Sequence, residues 1–351
     1  GWHSSDTAEL SFDDVRVPKE NLIGEEGKGF YYLMNGLQLE RLCFLPSNVA
    51  TMEYALSESL NYMSQRNAFG RTIDKFEVLR HRVSQLSSEL EALKAFSYYC
   101  CDLFDKGIYD VKSCSMGKLI VTELHEKIST QCLQFFGGNG YTEDYPMARM
   151  FRDSRIGTIG GGTSEIMREI IAKVIIDDVK YEKTKSNVNS KENSVNTDFS
   201  NQDNISSLDK LDKPDLILAT KTITIAENTL DITIKHINLA DGNGDKKSTS
   251  QVIRHQIAQL ASEIECSKQF VHSINSKFET MENLEKEISM AKLTSIQLMD
   301  KVLSKCFQMF GAYDTLEHHP LEKIFQNSKM IQISNSRSDL HDNISKLIIE
   351  K

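Results

Sequence analysis

Apolar residues recur at spacings of three and four along most of this 351-residue chain, the signature of helices that bury one stripe. Residues Tyr31 to Gln65 predict one long helix, with Pro46 bending it because proline lacks an amide and crowds the preceding turn. A second runs from about Lys75 to Lys106, with Val83, Leu86, Leu90, Leu93 and Phe96 on a single stripe. A third runs from about Val111 to Phe136 and stops at Gly137-Gly138, as helices often stop at glycine. Pro146 to Ile156 reads as a short helical or irregular link, and a fourth long helix runs from Thr163-Ser164 to about Val179. Helices of this length suit an up-and-down four-helix bundle. The first residues read differently. Ala8, Leu10 and Phe12 alternate with Glu9, Ser11 and Asp13, as on a half-buried strand. Terminal strands without a sheet are not stable alone, so the chain is expected to be a fragment of a longer protein.

From Lys183 to Lys213 the pattern dissolves into Asn, Ser, Lys and Asp, which predicts a flexible linker. Beyond it the chain repeats itself at an offset of 174 residues. Val78-Leu79-Arg80-His81 returns as Val252-Ile253-Arg254-His255, and Phe136-Gly137 as Phe310-Gly311. Lys118 returns as Lys292, Cys132 as Cys306 and Pro146 as Pro320. A register held this far without gaps predicts a second copy of the bundle from about Pro214 to Lys351. Core positions persist while polar positions drift. Arg66 becomes Ala240, Phe69 becomes Asn243, Gly138 becomes Ala312, and Gly160-Gly161-Gly162-Thr163 becomes Ser334-Asn335-Ser336-Arg337. The fold class is therefore all-α, a bundle repeated twice in tandem with a short β remnant at the N-terminus. The domains are 1–27 (strands), 28–182 (first bundle), 183–213 (linker) and 214–351 (degenerate second bundle).

Composition narrows the function. A net charge of −9 argues against nucleic acid. No apolar run reaches spanning length, and no signal peptide is visible. The seven cysteines lack any metal-binding spacing and read as reduced thiols of an intracellular protein. No metal site is expected. His81 and His255 recur without a ligand pattern, and Arg149, Arg152, Asp153 and Arg155 read as salt bridging.

Three segments carry candidate chemistry. Gly157-Thr158-Ile159-Gly160-Gly161-Gly162-Thr163-Ser164-Glu165 frees the backbone for close approach and then caps a helix, whose first amides attract anions. The others are Gln134-Phe135-Phe136-Gly137-Gly138-Asn139-Gly140-Tyr141 and Arg66-Asn67-Ala68-Phe69-Gly70-Arg71-Thr72. In this order and at these separations they resemble the C-terminal helical domain of the acyl-CoA dehydrogenases. Gly1 to Asn21 resembles the end of that family's middle β-domain.

The resemblance implies FAD as cofactor and α,β-desaturation of an acyl-CoA to a trans-2-enoyl-CoA. Most of the family places the base, a Glu, where this chain has Gly161. A minority, the isovaleryl-type and long-chain dehydrogenases, supplies it from another helix, in a motif that Gly36-Leu37-Gln38-Leu39-Glu40-Arg41-Leu42 resembles. Glu40 is then the catalytic base, with Arg41 and Leu37 toward the substrate. Arg66, Phe69, Gln134, Gly138, Thr163 and Glu165 match FAD-binding positions. On the residues alone, Glu40 and Arg41 also read as a solvated ion pair, and Arg66 as a helix-terminal cation.

The implied partners are an acyl-CoA substrate, an electron-transferring flavoprotein and further copies of the chain. A homodimer is favoured because a fused second bundle can occupy one face of the usual tetramer. The expected compartment is the cytoplasm or mitochondrial matrix. With the flavin platform absent, this fragment alone is expected to bind FAD poorly and to be inactive. Three alternatives stand: an acyl-CoA oxidase passing electrons to oxygen, a non-catalytic scaffold or assembly protein derived from the fold, and a related flavin enzyme acting on a non-CoA substrate.

Overall fold

The computed structural model describes residues 1–181, 214–239, 246–277, 283–311, 319 and 321–350, without the side chains of 332–334. The Lys183–Lys213 linker, Ala240, Asn243, Ala312 and Pro320 lie outside the described residues. The fold is all-α. Five helices build the first half: α1 (Gly29–Gln65), α2 (Glu77–Asp105), α3 (Val111–Phe136), α4 (Met147–Ser154) and α5 (Ser164–Ile176). The second half has α6 (Pro214–Ile237), α7 (Gln251–Lys277), α8 (Glu285–Phe310), α9 (Glu322–Ser334) and α10 (Arg337–Ile349). Among the described residues the one sheet is a two-stranded hairpin, β1 (Asn67–Ala68) against β2 (Arg71–Thr72).

The N-terminal residues stand without strand partners within this chain. Residues 8–12 form no ladder, and every residue from 1 to 31 is exposed. Alternation alone leaves backbone amides and carbonyls unpaired, and only a neighbouring strand supplies partners. Helix α1 runs continuously through Pro46, and α5 stops at Ile176, before Val179.

Helices α1 and α3 form the central pair of the first bundle. Their approach is close because Gly117 faces Leu45, and a Cβ on Gly117 would sit 2.5 Å from Leu45 Cδ2. Leu42, Leu45, Val49, Met52, Leu56 and Met63 of α1 are buried against α3 and its neighbours. Asp110 caps α3 by accepting from the Ser113 amide at 3.0 Å.

The second half reproduces this plan at the 174-residue offset. Lys94–Glu53 (2.5 Å) is mirrored by Lys268–Glu227 (2.8 Å), and Lys127–Glu89 (2.6 Å) by Lys301–Glu263 (2.6 Å). The Tyr62–Phe136 ring stack (4.2 Å) becomes His236–Phe310 (4.1 Å).

The halves meet reciprocally, as two copies do about a two-fold axis. Helix α2 packs on α7, α5 on α7, and α10 on α2. Gln85 and Gln297 exchange hydrogen bonds at 2.9 and 2.8 Å. His81 meets Asp342 at 2.9 Å, and its counterpart His255 approaches Glu169 at 3.6 Å. Arg254 grips Asp177 with both guanidinium nitrogens, at 3.0 and 2.7 Å, while Arg80 meets Glu350 at 3.0 Å.

Candidate active site

The glycine-rich segment is a turn held by two buried cations. Gly161 and Gly162 have φ of +66° and +103°, a left-handed backbone that side chains resist. Arg41 Nε donates to the Gly161 carbonyl at 3.1 Å, and Lys118 Nζ to the Gly162 carbonyl at 2.5 Å. Thr163 then opens α5, its hydroxyl accepting from the Ile166 amide at 3.3 Å.

Glu40 stands against this turn. A Cβ built on Gly161 would lie 3.6 Å from Glu40 Oε1 and 3.3 Å from Phe44 Cε2. The residue is nevertheless exposed, so within this chain its carboxylate is beside the turn and open on its other side. Leu37, three residues earlier and so on the same face of α1, is half-buried. Burial pushes the Arg41 guanidinium below its ordinary value, partly offset by Tyr109, Cys114 and Glu40. Lys118 is fully buried, and desolvation together with Arg41 pushes its ammonium down to about 8. Glu165 accepts at the first turn of α5, and these hydrogen bonds hold its carboxylate below the usual range.

The remaining predicted residues lie elsewhere. Arg66 is the C-cap of α1, and Gln134 and Gly138 flank the end of α3. Tyr62, in the last turn of α1, ties these ends together, its hydroxyl accepting from Asn139 Nδ2 at 3.0 Å. At about 1.5 Å per helical residue, the end of α1 is roughly 38 Å from Glu40. Glu40, Arg41 and Thr163 therefore converge at one end of the bundle, and Arg66, Phe69, Gln134 and Gly138 at the other. Arg66, Gln134 and Gly138 are exposed, and Phe69 is 96% exposed with a φ of +51°. A guanidinium, an amide and an aromatic face left open together suit a nucleotide diphosphate and its base.

Sequence reasoning missed Lys118 and Phe44 as members of the turn's environment. The signal for Lys118 was present: it is the one charged residue from Ser113 to Thr122, inside a helix that is otherwise core there. His81 and His255 take part in interface pairs. Arg152 and Arg155 bind Glu143 and Glu126, each at 2.8 Å. All seven cysteines are free. Among the described residues no helix is long and apolar enough to cross a membrane, and no cluster of ligating side chains could hold a metal ion.

This helical fold belongs to a known class, the C-terminal domain of the acyl-CoA dehydrogenases. The model of the acyl-CoA dehydrogenase C-terminal domain matches residues 27–176 and again 212–344. The chain belongs to the acyl-CoA dehydrogenase family. It is 41% identical over 178 residues to the mitochondrial long-chain specific acyl-CoA dehydrogenase of Rattus norvegicus, a match covering 51% of this chain and 41% of that protein. It is 39% identical over 173 residues to the mitochondrial isovaleryl-CoA dehydrogenase of Oryza sativa, covering 49% and 42%. The chain thus matches about two fifths of the length of these relatives. In fold it resembles a Bacillus anthracis acyl-CoA dehydrogenase solved with FAD, at a TM-score of 0.76 and 19% identity, over 96% of this chain and 60% of that one.

Proposed function

We propose that this chain is the helical part of an FAD-dependent dehydrogenase that converts an acyl-CoA to its trans-2-enoyl-CoA, with Glu40 as the proton acceptor. One observation carries the reading: the Glu40 carboxylate occupies the space in front of Gly161, 3.6 Å from where a side chain there would begin.

The α hydrogen of a thioester leaves as a proton when a carboxylate is held against it. Glu40 takes that proton, and α1 fixes its approach. Arg41 and Lys118 grip consecutive carbonyls and keep the turn open, so that no main-chain atom competes for the carboxylate's place. Leu37 lines the acyl side. When bound, FAD supplies the acceptor for the β hydrogen and its electron pair. Thr163 and the first amides of α5 would hold the flavin end. Arg66, Phe69, Gln134 and Gly138 would hold the adenosine diphosphate end of a flavin in a second copy of the chain, since they lie beyond one dinucleotide's reach of Glu40. That division supports a homo-oligomer. Electrons would leave to an electron-transferring flavoprotein, in the mitochondrial matrix or cytoplasm.

The test is a panel of acyl-CoA thioesters with the full-length protein and an artificial electron acceptor. Glu40→Gln is expected to lower turnover by roughly 10²- to 10⁴-fold. Retention of full activity by that variant removes Glu40 as base. Stoichiometric peroxide release without added acceptor assigns the protein to the oxidases.

A further inference from the structure

We infer that Lys118 is a positioning residue for proton abstraction, a buried cation that fixes the Gly161-Gly162 turn against which Glu40 works. The inference rests on the reading of Glu40 as proton acceptor and adds a residue to it.

Lys118 has no exposed surface. Among the described residues no carboxylate comes within ion-pair distance of it. Of the carboxylates whose charge reaches it, Glu123 is engaged by Arg168, Glu40 faces the Gly161 position, and Glu165 lies at the start of α5 beside Thr163. Its hydrogen-bond acceptor is the Gly162 carbonyl, at 2.5 Å. The Phe44 ring, 5.8 Å from Nζ, gives it a second, weaker contact. Burying an ammonium without an anion is costly. Here it sits beside a second buried cation, Arg41, on the neighbouring carbonyl. A fold that needed only to close this turn could do so with a neutral donor. Two adjacent cations gripping two successive carbonyls instead determine where the left-handed turn stands. Phe44, which touches the Gly161 position, joins that turn to the Glu40 helix.

The second bundle supplies an internal comparison. Lys292 occupies the position of Lys118, Asp215 that of Arg41 and Pro214 that of Glu40. There the ammonium pairs with a carboxylate, Lys292 Nζ to Asp215 Oδ1 at 2.8 Å. The glycine pair has become Asn335-Ser336, and the site opens into a cavity of about 580 Å³. Where the proton acceptor is missing, the lysine is paired with a carboxylate.

The test separates proton abstraction from net oxidation. Exchange of the acyl-CoA α hydrogen in deuterated water is followed by NMR on the full-length, FAD-loaded protein, without an electron acceptor. Thermal melting is measured alongside. Lys118→Met is expected to lower the α-exchange rate roughly tenfold to 10²-fold, the scale of a sub-ångström to 1 Å misplacement. KM should change little, and the melting temperature should not fall. Lys118→Arg should recover part of the loss. Lys118→Gln keeps a donor without the charge. It should exchange as slowly as the Met variant, and it serves in its place if the latter does not fold.

Exchange at the wild-type rate in either neutral variant overturns the proposal. So does a loss that only tracks melting. These outcomes are distinct from failure of the underlying reading, which is signalled by normal exchange in Glu40→Gln.

Discussion

A methyl group on Gly161 should separate stability from chemistry. The residue has a φ of +66°, and an alanine held in that left-handed conformation costs about 1–2 kcal/mol. The added carbon would lie 3.3 Å from Phe44 Cε2 and 3.6 Å from Glu40 Oε1. The first contact is tight but relieved by a small ring movement; the second is ordinary contact. Gly161→Ala should therefore remain folded. The loss of about 1–2 kcal/mol corresponds to a melting temperature lower by roughly 2–8 °C for a cooperative unit the size of one bundle or both. Proton abstraction should suffer more, because the methyl fills the space the carboxylate works in. Displacing Glu40 by several tenths of an ångström is expected to slow α-hydrogen exchange roughly tenfold or more. The control is Gly160→Ala. Its Cβ would meet Ile156 O at 3.4 Å and Phe44 Cζ at 3.8 Å, away from the carboxylate, and its φ is not in the left-handed range. Calorimetry gives the first number and NMR exchange the second. If both alanine variants exchange alike, the carboxylate does not act across the Gly161 space and the geometric reasoning fails.

Two further predictions concern stability. His125 is buried with neither ring nitrogen partnered among the described residues, and burial pushes it down to about 4 from 6.5. A base whose folded value is depressed leaves stability complete above the unfolded value and lost as pH falls toward the folded one. Urea unfolding should show a decline of about 3 kcal/mol between pH 6.5 and 4. His125→Met, the residue found at the equivalent Met299, should flatten it; an unchanged slope refutes the assignment. Arg254→Met should lower stability by about 1 kcal/mol, since its bidentate partner Asp177 is half-exposed. In the wild type, Arg254 holds the Asp177 carboxyl below 3.8. That contribution is complete above 3.8 and vanishes as acid carries the pH through the lower folded value. A denaturant midpoint that ignores both substitution and acid counts against it.

Helix placement was legible because long stripes such as Val83 to Phe96 leave little choice of face, and the repeat was legible because register survives when side chains drift. Glu40 and Thr163 could be named from a resemblance, but their proximity depends on α1 and the turn before α5 meeting across 120 residues of chain. Lys118 was counted in the repeat and not read as chemistry, because a lysine on a helix is ordinarily solvated. Only packing reveals that its ammonium lies inside. Residues 8–12 form no ladder here because alternation is a local property, whereas a strand needs neighbours.

The mirrored junction between the bundles has a consequence for robustness. Separate copies making these same contacts would part on dilution, whereas tethered ones face each other at an effective concentration in the millimolar range. The pairing is thereby freed from expression level, and a lesion in the second half, at Arg254 or Asp342, becomes a lesion in the half that carries Glu40.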